Sequence, residues 1–534
     1  MTAGIGFMAK IENYILATGI VLCGIIQTPA AIESLAVRHI IFGLTTLALC
    51  GFFFLRKRKN ISITNTSVFL VFAVFCLMSV ISLTQAANKS ESVYYILVSL
   101  TWLMFLVCVT PVIDKKIIVK VFVYMGLLFA ICGLFDIICA INSAGILATT
   151  GLGFNTGRNL WSSSLLLLIP FSLYSFAKNK NYVALVTIIL LAVNIALLQT
   201  RSVYLALIIA TAITLFSRHK KILAVVAICT VVCFCTFGRM RDTRTLSYRS
   251  NIWSRSAKVF GEEPILGVGA GNWKIATPRY GNSVNRGYRN MFTWRAHNDF
   301  IEVFVEIGLL GGLCYLGIFV TTLHYTRRMR DRHLAWAMRF GIVAYMVFAF
   351  FSFPKERAFH SVILLVMIAL VLKDYPIRKQ WAGRNILIFS VCSAVIIFAV
   401  VINYHRFKTE IYVKKVMVAK TNKDWAEVVR LIDGNYTPFS TMVAYAVTPI
   451  LHYRAEANLY LDNNEEAYSD YMKAYKLHPN HAAILCNIAS YKYFEKKYDE
   501  SLYYYTKANE VYPGLDAITI PIETLKRRAG QGLN

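Results

Sequence analysis

Apolar runs of ~17–22 residues recur along the chain from Ile11 to Val401, each long enough to cross a ~30 Å hydrocarbon core. In lipid a backbone N–H or C=O has no water to bond, so runs of this length predict helices whose backbone pairs within itself. Thirteen candidates are centred near residues 20, 46, 75, 102, 129, 168, 190, 209, 229, 311, 344, 365 and 394, and soft ends set twelve as the lower count. Composition agrees, with 57% hydrophobic and 16% charged residues where a soluble domain carries roughly 25% charged. The first run lacks a small-residue cleavage site, so it is expected to span rather than be removed as a signal. The expectation is an all-α, polytopic membrane protein with about 12–13 spanning helices.

The net charge of +27 is uneven. Residues 405–534 hold 17 Lys/Arg against 15 Asp/Glu, a net of +2, so the remaining +25 sits on the membrane portion. Basic cytoplasmic loops account for most of that excess, and no nucleic-acid partner is implied. Every second short loop is basic: Arg56–Lys59, Lys115–Lys116, Lys178 with Lys180, Arg218 with Lys220 and Lys221, Arg327–Arg332, and Lys373 with Arg378, Lys379 and Arg384. This alternation places the N-terminus in the cytoplasm and, with thirteen helices, the tail outside. The segment 238–296 then faces outside as a large loop, although it holds eleven Lys/Arg and three acids. Eleven of the twelve cysteines lie in or beside apolar segments without metal-site spacing, as small buried residues do.

After Val401 the sequence turns charged and Tyr-rich. Ala455/Ala489, Tyr471/Tyr505, Ala474/Ala508 and Pro479/Pro513 all match at a spacing of 34. That period, with small residues at helix crossings and Pro after the second helix, resembles tetratricopeptide repeats. The predicted domains are 1–404 in the membrane and 405–534 as a soluble extracytoplasmic helical-repeat module able to bind a protein partner.

Ionisable groups at the ends of spanning helices each need a reason. Arg158 and Arg201 both fall at outer helix starts. A single arginine there can simply snorkel to the headgroups, but two beside a basic loop suit phosphate oxygens, which guanidinium binds bidentately. His297 opens the helix that begins His297-Asn298-Asp299-Phe300, with Asp299, Glu302 and Glu306 on one face. Acids in a first turn complement the helix dipole, which explains Asp299 better than Glu306. His297 is open to three readings: a cap, a metal ligand (though no second His or Cys is near), or a general base. The stretch Pro264–Trp273, rich in glycine, lacks the Lys-Ser/Thr of a phosphate loop and reads as a tight turn that lets backbone approach a ligand or a helix.

Thr200-Arg201-Ser202, then Arg249, Trp253 and Pro264-Ile265-Leu266-Gly267-Val268-Gly269-Ala270-Gly271-Asn272, then His297-Asn298-Asp299-Phe300 through Glu306, Gly308 and Gly311, stand in a fixed order. Together they resemble the superfamily of bacterial O-antigen ligases, O-antigen polymerases and protein O-oligosaccharyltransferases. Val203 stands where many relatives have a Ser-Arg-Gly continuation. The resemblance implies a membrane glycosyltransferase of the type C-like class in the bacterial inner membrane. It implies a polyprenyl-diphosphate glycan donor, an extracytoplasmic hydroxyl acceptor (lipid A core, protein or glycan), and an inverting transfer without metal or other cofactor. By motif, Arg201 holds the diphosphate and His297 deprotonates or orients the acceptor. Arg158, Arg249 and Arg295 join the diphosphate site by location and charge, with Asn298, Asp299, Glu302 and Glu306 in support. A ligase differs from a polymerase only in its acceptor, and the motifs do not separate them; the tail favours a ligase or a protein-glycosylating enzyme, since a repeat domain can dock a protein. A lipid-linked glycan transporter is the non-enzyme alternative, which should carry its charges near the midplane.

Overall fold

The computed structural model describes residues 2–55, 67–144, 157–215, 244–281, 293–375, 385–443 and 447–530. Twelve helices coincide with twelve of the expected spans. They are α1 (Thr2–Ile25), α2 (Leu35–Leu55), α3 (Ser67–Ile81), α4 (Lys89–Val112), α5 (Lys115–Ala144), α6 (Arg158–Asn179), α7 (Tyr182–Leu198) and α8 (Arg201–Leu215). After the loop helix α9 (Arg244–Glu262) come α10 (Asp299–Thr326), α11 (Arg332–Phe351), α12 (Ala358–Asp374) and α13 (Asn385–Thr421). Among the described residues, eight helices are long and apolar enough to cross a membrane, and α7 and α8 are shorter apolar helices. The chain is therefore an all-α, multi-pass membrane protein. The candidate near residue 229 lies outside the described residues.

Every residue of α12 from Ala358 to Leu372 is buried. A helix apolar on all sides is enclosed by other helices, and α12 packs against α4, α11, α2, α10 and α6. By contrast α5 and α7 leave Ile131, Phe135, Ile138, Val186 and Ile189 exposed, as lipid-facing positions require. Helix direction alternates, so polar residues gather at two ends. At one end Asp331 caps α11, accepts from Lys115 Nζ and Tyr174 Oη at 3.0 Å each, and donates its own N–H to Asp374 at 2.9 Å. The opposite end collects the starts of α4, α6, α8, α10 and α12, and there the candidate site lies.

Helix α10 is broken inside the membrane boundary. Gly308 adopts φ 75°, ψ −176°, which frees the carbonyls of Val305 and Glu306. The glycine-rich stretch fills the break: Val268 N donates to Val305 O at 3.0 Å, Gly269 N to Glu306 O at 2.9 Å, and Leu309 N to Pro264 O at 2.8 Å. Its far end is pinned by Asn272, whose Oδ1 accepts from Asn88 N at 2.8 Å and whose Nδ2 donates to Ser92 Oγ at 2.8 Å. The stretch approaches helices, so of its two expected uses the structure supplies the helix.

The tail continues from α13 without interruption, because α13 runs 37 residues through the composition change at 404. It comprises α14 (Trp425–Asp433), a short antiparallel pair of Met442–Val443 with Thr448–Pro449, and α15 (Ile450–Tyr460), α16 (Asn464–Leu477), α17 (Ala482–Phe494), α18 (Tyr498–Val511) and α19 (Asp516–Gly530). α15 with α16 and α17 with α18 form successive hairpins. The 34-residue spacing maps onto equivalent sites. Ala455 and Ala489 are both fully buried, as are Ala474 and Ala508, and the tight turns place Asp462 and Lys496 at φ 61° and 62°. The array is docked onto the membrane domain, with Asn480 Nδ2 donating to Ile275 O at 2.9 Å and Asn88 Nδ2 to Thr441 Oγ1 at 3.1 Å.

A Cβ on Gly308 would stand 2.0 Å from Ile265 O, at a φ that L residues resist. Gly308→Ala should therefore destabilise the protein by about 3 kcal/mol or more, read as a lower midpoint in thermal unfolding of the detergent-solubilised chain. An unchanged midpoint would mean that the break does not depend on glycine.

Candidate functional site

The segment 293–298 is held from both sides. From α9, Trp253 Nε1 donates to Ala296 O at 3.0 Å, and the Tyr248 and Thr293 hydroxyls share a hydrogen bond of 3.1 Å. From α10, Glu302 Oε2 accepts from Ala296 N at 3.0 Å, while Asn298 caps the helix by accepting from Ile301 N at 3.0 Å. Between these anchors His297 takes a left-handed conformation (φ 51°), uncommon for a residue with a side chain. Its ring stands edge-on between Tyr248, 6.3 Å away, and Phe353, 5.3 Å away.

Beneath the segment lies a buried charge network. Lys355 Nζ reaches Glu302 at 3.0 Å and Glu306 at 3.5 Å, and Lys355 N donates to Asp299 Oδ2 at 2.9 Å. Arg295 forms an ion pair with Glu356 and donates to Tyr95 Oη at 2.7 Å, and Tyr95 in turn donates to Glu356 Oε1 at 3.2 Å. Glu306 Oε1 also accepts from Trp273 N at 3.3 Å. Burial alone would lower Arg295 and Lys355, but the Glu356 carboxylate holds the first and Glu302 with Glu306 hold the second above their ordinary values. A second knot joins Glu91 to Lys274 at 2.8 Å and to Arg406 at 2.7 Å, with Arg406 stacked 3.9 Å over Tyr94.

The other cations are differently placed. Burial and, next, the charge of Arg201 lower Arg249. No carboxylate is within ion-pair distance of Arg249 among the described residues. Burial, and then the charge of Arg249, pushes His297 down to about 4, with Glu302 acting in the opposite sense. Arg249 is thus an electrostatic neighbour of both Arg201 and His297, with the imidazole neutral at physiological pH. Arg158 opens α6, which packs on α8, and its Nε is buried without a hydrogen-bond partner.

Of the residues singled out from sequence, Arg249 lies within electrostatic reach of both His297 and Arg201, and Arg158 stands at the same end of the bundle. Arg295 also lies within electrostatic reach of His297, but its guanidinium is paired with Glu356 and donates to Tyr95. Asn298 is a helix cap, and Asp299, Glu302 and Glu306 are joined through Lys355. Sequence reasoning passed over Lys355, Glu356, Arg357, Tyr95 and Glu91. The available signal was the dense Lys355-Glu356-Arg357 run set between two apolar helices. Among the described residues no group of three or more His, Cys, Asp or Glu is placed to hold a metal ion.

Residues 186–316 match the family model described as O-antigen ligase. That match makes this segment similar to the O-antigen ligase superfamily. The ligase-like segment includes Arg201, Arg249, the glycine-rich stretch, His297 and Glu306, and ends before Lys355 and the helical tail. No curated protein matched the chain. The superfamily supports a glycosyltransferase-type enzyme with lipid-linked glycan and acceptor partners in a general sense.

Removing Lys355 would leave Glu302 and Glu306 buried without their cation. Lys355→Met should cost about 3–5 kcal/mol of stability, the range for breaking a buried ion pair on one side. Thermal unfolding in detergent checks this, and a midpoint equal to wild type would show that the acids are satisfied elsewhere.

Proposed function

We propose that the chain transfers a glycan from a polyprenyl-diphosphate donor to a hydroxyl acceptor on the extracytoplasmic side of the bacterial inner membrane, in an O-antigen ligase-type reaction. The observation that carries this reading is a neutral, half-buried imidazole within electrostatic reach of Arg249, which itself neighbours Arg201 and lacks a carboxylate partner among the described residues. The alternation of basic loops supports a cytoplasmic N-terminus, with the site and the tail outside.

In this mechanism Arg201 and Arg249, with Arg158 at their end of the bundle, take the oxygens of the donor diphosphate. The acceptor hydroxyl attacks the anomeric carbon from the face opposite the leaving group. The new C–O bond forms as the C–O bond to phosphate breaks, and the bonding pair departs with the diphosphate. The hydroxyl proton passes to the His297 ring. Charge grows on the leaving diphosphate in the transition state, so a preformed cationic clamp lowers the barrier without deforming. A neutral imidazole is the form that can accept the proton, and the αL backbone fixes where the ring points. Arg295 stays outside this clamp because its charge is already met by Glu356.

Transfer in proteoliposomes with a polyprenyl-diphosphate glycan tests the assignment. His297→Ala should lower turnover by about 10²-fold or more, the usual worth of a positioned base. Arg249→Gln should raise donor KM. Movement of donor between leaflets without product would identify a transporter instead.

The pH dependence follows from the direction of the His297 shift. A base held down to about 4 stays competent from neutral pH until protons reach that range, so kcat/KM should fall only on approach to pH 4. Arg249→Gln removes a cation that disfavours the imidazolium, and its acid limb should move to higher pH. A wild-type limb near 6.5, the ordinary histidine value, would mean that neither burial nor Arg249 holds His297 down.

A further inference from the structure

Three histidines of the tail form a row where the array meets the loop that follows the glycine-rich stretch. His452 lies in the first turn of α15, His478 in the turn after α16, and His481 caps α17. The His481 ring stands 5.4 Å from His452 and 5.3 Å from His478. All three are buried; neither ring nitrogen of His478 has a hydrogen-bond partner, nor does Nδ1 of His452. His481 Nδ1 accepts from Ile484 N at 3.4 Å, and its Nε2 shares a hydrogen bond of 3.2 Å with Thr448 Oγ1. Two residues past His478, Asn480 makes the contact with Ile275 O that docks the array.

We propose that this row is an acid-released latch: protons taken up by His478, His481 and His452 loosen the array from the loop beside the candidate site. The latch stands whether or not the chain transfers glycans. Besides His481, the charged groups acting on the row are cations, Lys274 of the loop on His478 and Lys420 of α13 on His452. The carboxylates of Glu91 and Glu456 are already paired to those lysines, and Asp470 of α16 is held by Arg454. Tyr453 and Tyr471 stand 5.5 and 5.8 Å from the His452 ring. No carboxylate is within ion-pair distance of His452 or His478 among the described residues. An imidazolium at His478 is therefore a buried cation facing Lys274, and one at His481 loses the lone pair that caps α17. Burial, and then His481, hold His478 and His452 well below the ordinary histidine value, and burial pushes His481 down to about 4. A histidine exposed by opening titrates near 6.5, so acid favours the open form. Docking has its full strength above about pH 6.5 and weakens as the pH falls toward 4. Each histidine that opening exposes raises the opening constant about tenfold per pH unit in that window, and the factors multiply.

Hydrogen–deuterium exchange of the full chain in detergent, without substrate and corrected for the intrinsic pH dependence of exchange, tests the latch. Exchange registers open molecules while the docked form is still the majority that sets turnover. Amides of 274–277 and 478–485 should keep constant protection down to about pH 6.5. Below it they should lose about a hundredfold or more per pH unit, as at least two exposed histidines require, while the buried helix α12 keeps its protection. His478→Leu removes two unpartnered nitrogens, so it should stay docked at neutral pH and make the loss about tenfold shallower per pH unit. Protection flat to pH 4.5, a wild-type loss of tenfold per pH unit or less, or a profile that His478→Leu leaves unchanged overturns the latch. So does a loss that α12 shares, which is general acid unfolding. If His478→Leu does not fold, the steepness of the wild-type profile decides alone.

Discussion

The buried pairing of Lys355 with Glu302 and Glu306 is the interaction on which the site depends. These carboxylates enter the bundle because α10 must break: Gly308 releases two carbonyls, the glycine-rich stretch bonds them, and Glu306 Oε1 then takes the N–H of Trp273. Two acids so close in a low-dielectric setting repel strongly unless a cation sits between them. Lys355 supplies that cation from the turn between α11 and α12. Glu302, fixed by it, receives Ala296 N–H and holds the backbone one residue before His297. The geometry of the imidazole is thus set by a salt bridge that the imidazole does not touch.

The same contrast sorts the arginines. Arg295 and Arg406 have carboxylates of their own, Glu356 and Glu91, and serve as cross-links between helices that are distant in sequence. Arg249 instead has Arg201 for an electrostatic neighbour, and no carboxylate stands within ion-pair distance of it among the described residues. Desolvation strengthens both effects, since the charges that hold the frame together and the charges left for a ligand lie within one water-poor region. Proximity to His297 therefore does not by itself mark a cation as part of the frame; the presence of a facing acid does.

Much of the frame was legible because lipid enforces it. A run of twenty apolar residues has one backbone solution, so α2 to α8 and α10 to α13 fall where the hydropathy places them. The 34-residue spacing likewise foretold which alanines would sit at helix crossings. Arg201 and His297 were legible as charges at helix starts, where an ionisable group has to be explained. The pairings were not. Arg295 and Arg249 look alike in sequence, and only the fold shows that Glu356, sixty-one positions on from Arg295, stands against one and not the other. Lys355 was missed for the same reason, because a Lys-Glu-Arg run in a short turn reads as solvated surface until the turn is found buried. The glycine-rich stretch showed its need for close approach but not the carbonyls it approaches, since a break in α10 has no signature beyond one glycine among several.

The tail bears on this site through continuity rather than through a flexible joint. Because α13 passes from the bundle into the array as one helix, Arg406 on its inner side reaches Glu91, and Glu91 reaches Lys274, two residues past the Asn272 that pins the glycine-rich stretch. Asn480 bonds Ile275 on the same loop, Thr441 bonds the Asn88 that Asn272 holds, and Trp294 packs with Ile275, Met442 and Val447. A helical array attached this way sets the position of Trp294, three residues before His297. Whatever surface the array offers to a partner, its first mechanical effect is to hold the loop and the imidazole in one frame.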